Sequence, residues 1–193
     1  MSFRRNGLSN GPSLECRPIA PSLLIETPRL RMRTFRESDL DDLARLYADP
    51  RVMRYLGDGS LQDRAETWRE IALFLGHLQL RGYATLAVEL RESGQFVGEC
   101  GPWYPEGWPM LEVGWVIDPR FQGQGIATEA GRAALDWCFK TLAADRVCSL
   151  IHPENGPSIS VARKLGARID RRLDDFRGAP ADVWMHLPRG STA

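Results

Sequence analysis

From Leu30 onward, apolar positions recur along the chain with two periods. Over 29–34 they alternate, with Leu30 and Met32 on one side and arginines on the other, which predicts a strand. Over 39–48 and 61–80 the spacing lengthens to that of a helix. Ser38 is placed to cap the first helix and Asp49-Pro50 to end it. In the second, Trp68, Ile71, Leu75 and Leu78 share one side, so Trp68 is expected in the core. Strands are expected at 83–90 and 96–100, joined by the hairpin signal Arg91-Glu92-Ser93-Gly94, and at 111–117, closed by Asp118-Pro119. The helical period returns over 128–142, with Ile126, Ala130, Ala133, Ala134 and Trp137 on one side. A strand at 147–151, a helix at 157–165 and strands at 168–176 and 181–187 complete the order. Residues 1–21 mix Gly, Ser, Asn, Pro and Arg without periodicity, and read as a flexible arm or a segment that docks on a partner. The rest, 22–193, reads as one α/β domain.

The segment with the clearest chemistry is Phe121-Gln122-Gly123-Gln124-Gly125-Ile126-Ala127-Thr128. It joins a strand to a helix through a glycine pair. The first N–H groups of a helix have no internal partner and carry the positive end of its dipole, so such a junction binds anions. A P-loop would need Gly-Lys-Ser/Thr, and here Ile126 follows the second glycine. A dinucleotide fingerprint matches Gly123-x-Gly125 but has Thr128 in place of its third glycine. Its acidic partner would be Asp145, which precedes the next strand instead of ending it.

The pattern Gln122-x-x-Gly125-x-Ala127 resembles the coenzyme A pyrophosphate loop of the GNAT superfamily of N-acetyltransferases. The segment Asn155-Gly156-Pro157-Ser158, followed by Lys164-Leu165-Gly166, is similar to the block after that family's fifth strand. A third block, Ile25-Glu26-Thr27-Pro28-Arg29-Leu30-Arg31-Met32-Arg33, resembles the opening strand of the branch that acetylates N-terminal amines of ribosomal proteins. The resemblance implies a mixed, mostly antiparallel sheet of about seven strands with flanking helices. Its fourth and fifth strands, here 111–117 and 147–151, would splay to hold acetyl-CoA. It implies acetyl transfer to a primary amine, either a protein N-terminus or a small molecule, by direct attack in a ternary complex.

On that resemblance, the amides of Gly123, Gln124, Gly125, Ile126, Ala127 and Thr128, with Gln122, would hold the pyrophosphate. The strand edge at Trp115, Val116 and Ile117 would pair with the pantetheine arm, and Asn155 would contact the coenzyme. Asn155 also reads as a turn residue capping the next helix. Glu112 resembles the water-linked base of several members, and alternation puts it on the face of Gly114 and Val116, opposite Val113, Trp115 and Ile117. Glu99 and His152 are the other candidates, and an ordinary strand glutamate is the plain alternative for Glu112. The tyrosine that many members place seven residues after the asparagine is Ala162 here. Ser158 aligns with a serine that could protonate the leaving thiolate, and its plain reading is a helix first-turn residue satisfying a backbone amide. The run Gly101-Pro102-Trp103-Tyr104-Pro105-Glu106-Gly107-Trp108-Pro109 could cover the amine pocket, form a dimer contact, or stiffen itself by packing aromatics on prolines.

Composition narrows the alternatives. The 25 basic and 25 acidic residues cancel, so no bulk field draws nucleic acid. Apolar runs are short and nothing reads as a membrane span or secretory signal. Cys16, Cys100, Cys138 and Cys148 show neither paired nor metal-ligand spacing, so reduced thiols in a cytoplasm are expected and no metal. A monomer and a homodimer are both compatible with the sequence. A non-catalytic acyl-CoA-binding module, and more remotely a nicotinamide-dependent oxidoreductase, are the competing functions.

Overall fold

The computed structural model describes residues 22–188, so the expected arm at 1–21, with Cys16, lies outside the described residues. Two short strands open the fold, β1 (Leu24–Glu26) and β2 (Leu30–Arg33). Alternation alone predicts one strand here. Thr27 makes the difference, because its hydroxyl accepts from Leu30 N–H at 2.8 Å and its own N–H donates to Leu30 O at 2.9 Å. That closed turn folds β1 back on β2.

Helices α1 (Leu40–Tyr47), α2 (Pro50–Met53) and α3 (Arg64–Arg81) follow. A 3-10 turn over Glu37–Asp39 leads into α1, so Ser38 does not cap it; Asp39 turns back instead, accepting from Arg36 N–H at 2.7 Å. Asp63 and Glu66 form a reciprocal capping box at the start of α3, and Gly82, in the left-handed region, ends it. Helix α3 buries Thr67, Ile71, Phe74, His77 and Leu78, whereas Trp68 is 51% exposed and does not belong to the core.

Strands β3 (Leu86–Leu90), β4 (Phe96–Trp103), β5 (Glu112–Ile117), β6 (Val147–Ile151), β7 (Arg168–Phe176) and β8 (Ala179–His186) complete an eight-stranded sheet, with α4 (Ile126–Thr141) and α5 (Gly156–Lys164) between β5 and β7. The order is β1-β2-β3-β4-β5-β6-β8-β7, and among the described strands only β5–β6 pair in parallel. Alternation along the strands divides the core. Leu86, Val88, Val113 and Ile117 pack with Ile126, Ala130 and Ala134 of α4 on one face. Ala87, Phe96 and Trp103 meet Leu43, Tyr47, Ile71 and Phe74 of α1 and α3 on the other. Cys100, Cys138 and Cys148 are buried free thiols, each pushed up by burial. Among the described residues no helix is long and apolar enough to cross a membrane.

Two features position the site. Strands β5 and β6 are in register at a single pair, Glu112↔Cys148, and separate beyond it into a fork. The chain then passes through a 3-10 turn, Pro119–Phe121, into the glycine loop and α4.

Candidate active site

The glycine loop is held from three sides. Gly123 and Gly125 have φ of 77° and 79°, a region costly for side-chain-bearing residues, so the tight turn requires glycine. Gln122 Nε2 donates to Ile117 O at 2.9 Å, tying the loop to the end of β5. Arg29 donates to Gln124 O at 3.0 Å and pairs with Glu129 in the first turn of α4 at 2.6 Å. Before the loop, buried Asp118 caps Arg120 N–H at 2.9 Å, and its bonds to the Arg120 and Arg45 guanidinium groups help hold its carboxyl far below the usual range. The first helical bond runs from Glu129 N–H to Gly125 O, so the N–H groups of Ile126, Ala127 and Thr128 precede any ladder partner. Gln124 turns aside, its amide donating to Arg120 O at 3.2 Å.

A cavity of about 360 Å³ lies over these N–H groups, walled by Trp115, Val116, Ile117, Gln122, Gly123, Gly125, Ile126, Ala127 and Thr128. Arg51 and Lys164, basic residues that the sequence reading gave no role at the site, also line it. The carbonyls of Leu111 and Val113 point toward β6, where they accept from Cys148 N–H at 2.9 Å and Ser149 Oγ at 2.7 Å. Strand alternation therefore directs the N–H and C=O of Trp115 into the fork. Val116 turns its carbonyl toward β4, where a Cβ on Gly98 would collide with it, so Val116 offers its side chain and not a main-chain edge.

A second cavity, about 340 Å³, opens on the other face of β5. Glu112, Gly114 and Val116 form part of its wall, as alternation requires, and Glu99, opposite Val116 on β4, stands beside them. A Cβ on Gly114 would meet only Glu112 Oε1, at 3.8 Å, so that position faces open cavity. Six residues line both cavities: Tyr55, Leu56, Trp115, Val116, Asn155 and Ser158. Asn155 Oδ1 accepts from Ser158 N–H at 3.2 Å, so Asn155 caps α5 while facing both chambers.

All three candidate bases line the second cavity, in different states. Glu99 is buried; Tyr47 O–H donates to its Oε1 at 2.7 Å, its Oε2 has no partner, and burial raises it to about 8. Glu112 has both oxygens engaged: Oε2 accepts from Trp108 Nε1 at 2.6 Å and Oε1 from Leu150 N–H at 3.2 Å. Burial raises Glu112 too, opposed by those bonds. His152 Nδ1 accepts from Glu154 N–H at 3.2 Å, and its ring lies 5.1 Å from that of Tyr55. Glu70 of α3 adds a further carboxyl raised by burial.

Of the aromatic run, Trp103 belongs to β4 and Trp108 packs edge-on to it at 6.3 Å and to Phe176 at 5.1 Å; both tryptophans line the second cavity. Ala162 is buried against Ile151, Ala167 and Trp184, so no hydroxyl takes that place. Tyr47, Tyr55 and Glu70 carried no sequence signal because they reach the site from helices and turns far along the chain.

Comparison with known proteins fits this geometry. Residues 29–168 match the acetyltransferase (GNAT) domain. An uncharacterized N-acetyltransferase of Bacillus subtilis, YnaD, is 30% identical over 144 residues, covering 75% of this chain and 82% of that protein. The crystal structure of an acetyltransferase from Agrobacterium tumefaciens, 26% identical, superimposes with a TM-score of 0.76 over 96% of this chain and all of that one. RimL, a ribosomal L7/L12 α-N-protein acetyltransferase solved in complex with coenzyme A, shares the fold at 18% identity and a TM-score of 0.72, over 86% of this chain and 98% of its own. A strand forked from its neighbour beside a glycine loop, with matching sequence on both sides of it, identifies the chain as a member of the GNAT family of N-acetyltransferases.

Proposed function

We propose that the protein transfers an acetyl group from acetyl-CoA, bound over the glycine loop, to a primary amine bound in the second cavity. The carrying observation is that the two cavities share a wall at the β5–β6 fork. A thioester lying in the fork would face an amine from the other chamber, and holding both partners there removes much of the entropic barrier to direct attack. No covalent enzyme intermediate is needed.

Each step has a residue. The N–H groups of Ile126, Ala127 and Thr128, at the positive end of α4, suit the pyrophosphate, with Lys164 and Arg51 adding positive charge nearby. Trp115 N–H, directed into the fork, suits the oxygen that gains charge as the carbonyl becomes tetrahedral. Glu99 receives the amine proton: its Oε2 is buried without a partner, whereas both oxygens of Glu112 are taken. An amine arrives as ammonium, and its charge beside Glu99 favours the carboxylate that then accepts the proton. Ser158 and Tyr55, the hydroxyl side chains lining both cavities, can supply the proton to the departing thiolate. The aromatic and carboxylate lining of the second cavity suits a cationic amine, whether a protein N-terminus or a small molecule.

The buried Ala162 in place of the family tyrosine favours one second reading, an acyl-CoA-binding module without turnover. Initial rates with acetyl-CoA and a panel of primary amines and peptides separate the two. Intersecting double-reciprocal lines with an acetylated amine as product are expected. Parallel lines with an isolable acetyl-enzyme would exclude direct attack, and coenzyme binding without transfer to any amine would favour the module.

A further inference from the structure

The β5–β6 pairing ends after one rung, and side chains take the place of the next. In a parallel pair the bonds follow at even spacing. Cys148 N–H donates to Leu111 O at 2.9 Å, and the continuing ladder would carry Leu150 N–H to Val113 O. That bond is replaced at both ends by side chains. Leu150 N–H donates to Glu112 Oε1 at 3.2 Å, and Val113 O accepts from Ser149 Oγ at 2.7 Å. A carboxylate and a hydroxyl thus occupy the rung, so neither main-chain group is left buried and unpaired as the strands part.

Both side chains are braced from behind. Trp108 Nε1 donates to Glu112 Oε2 at 2.6 Å. Ser149 is 2% exposed, and its Oγ lies 3.0 Å from Nε2 of His186, also 2% exposed. Since Ser149 gives its hydroxyl hydrogen to Val113 O, Nε2 must carry the hydrogen that reaches Oγ. His186 is then neutral with Nδ1 bare, consistent with the absence of a partner for that atom and with burial holding the ring down at about 4.

We infer that Glu112 and Ser149 act as a wedge that ends the β5–β6 ladder and sets the opening in which the thioester sits. This assigns Glu112 as a positioning residue, while Glu99 handles the proton. It rests on the acetyl-transfer reading only for the statement of what occupies the fork; the wedge itself concerns the ligand-free chain.

The test uses Glu112→Ala/Ser149→Ala in the full-length protein, beside the single changes Glu112→Gln and Ser149→Ala. In the ligand-free double variant, Leu150 N–H should reach Val113 O. Its amide exchange should then slow at least tenfold and the dissociation constant for acetyl-CoA should rise at least tenfold. Unchanged exchange at Leu150 together with wild-type affinity would overturn the wedge. Where the double variant fails to fold, the single variants decide. Ser149→Ala should slow exchange at Leu150, and Glu112→Gln should raise the KM for acetyl-CoA several-fold while leaving the midpoint of the pH–kcat profile in place. Loss of that midpoint in Glu112→Gln would make Glu112 the proton acceptor and overturn the assignment. A wild-type protein that binds no acetyl-CoA would defeat the acetyl-transfer reading, while the ligand-free exchange data would still judge the wedge.

Discussion

A carboxyl group 7% exposed with one oxygen unpaired, as Glu99 is, holds its proton far more tightly than one in water, until a cation arrives beside it. Two predictions follow from its value of about 8. First, Glu99→Gln should lower kcat by between about a hundred- and ten-thousand-fold and abolish the rise of kcat/KM with pH through the alkaline range, read from pH–kcat/KM profiles of both proteins. Second, because the folded-state value lies above the ordinary 4.5, the folded state binds the extra proton between the two. The stability tied to that proton is complete below about pH 4.5 and is lost as pH rises through about 8. Glu99→Gln should therefore melt above the wild type at pH 9, with the gap closing toward pH 4.5. At the other end of the proposed reaction, the two hydroxyls facing both cavities would share the work of thiolate departure. Tyr55→Phe and Ser158→Ala should each lower kcat by no more than about tenfold, and the double change by more than either alone, because a thiolate also leaves unaided. The sequence puts Glu112 first as base and Glu99, on the preceding strand, second, and the proposed order reverses them. That ranking depends on Tyr47, 52 residues away, on Trp108 and on Leu150 N–H, partners that only the folded chain brings together.

Among the elements, the strand–loop–helix unit was legible because its signals are local: a glycine pair, a proline turn and a change of period from two to 3.6. Gly125→Ala places a side chain at φ of 79° at the N-cap of α4, a strain of about 1–2 kcal/mol. The expected result is lower thermal stability and weaker acetyl-CoA binding by calorimetry, as the loop shifts to relieve that strain. Helix α3 was less legible, since apolar residues lie on both of its sides. Ile71, Phe74 and Leu78 are buried while Trp68, Leu73 and Leu80 are exposed at 51%, 49% and 85%. Periodicity alone does not say which stripe faces the sheet; the neighbours Phe35, Leu43 and Trp103 do. The division of the opening strand into β1 and β2 likewise depends on the bonds of Thr27, a turn that alternation does not reveal. Those same residues give the opening block its place beside the site, since Thr27 and Arg29 both bind Glu129 in the first turn of α4.

At the scale of the whole molecule, the two cavities meet across β5 where one strand pair parts. The proposed reading puts coenzyme on the α4 side of β5 and the amine on the α1–α3 side. Acetyl-CoA at a hundred times its dissociation constant should raise stability by about 2.7 kcal/mol, visible as a shift in Tm that NAD does not produce. The most direct measurement is a crystal structure of the acetyl-CoA complex. The predicted result has the pyrophosphate on the N–H groups of Ile126, Ala127 and Thr128, the thioester oxygen on Trp115 N–H, and the acetyl carbon facing the cavity of Glu99. A coenzyme seated away from the glycine loop, or an acetyl group closed off from that cavity, would contradict the account.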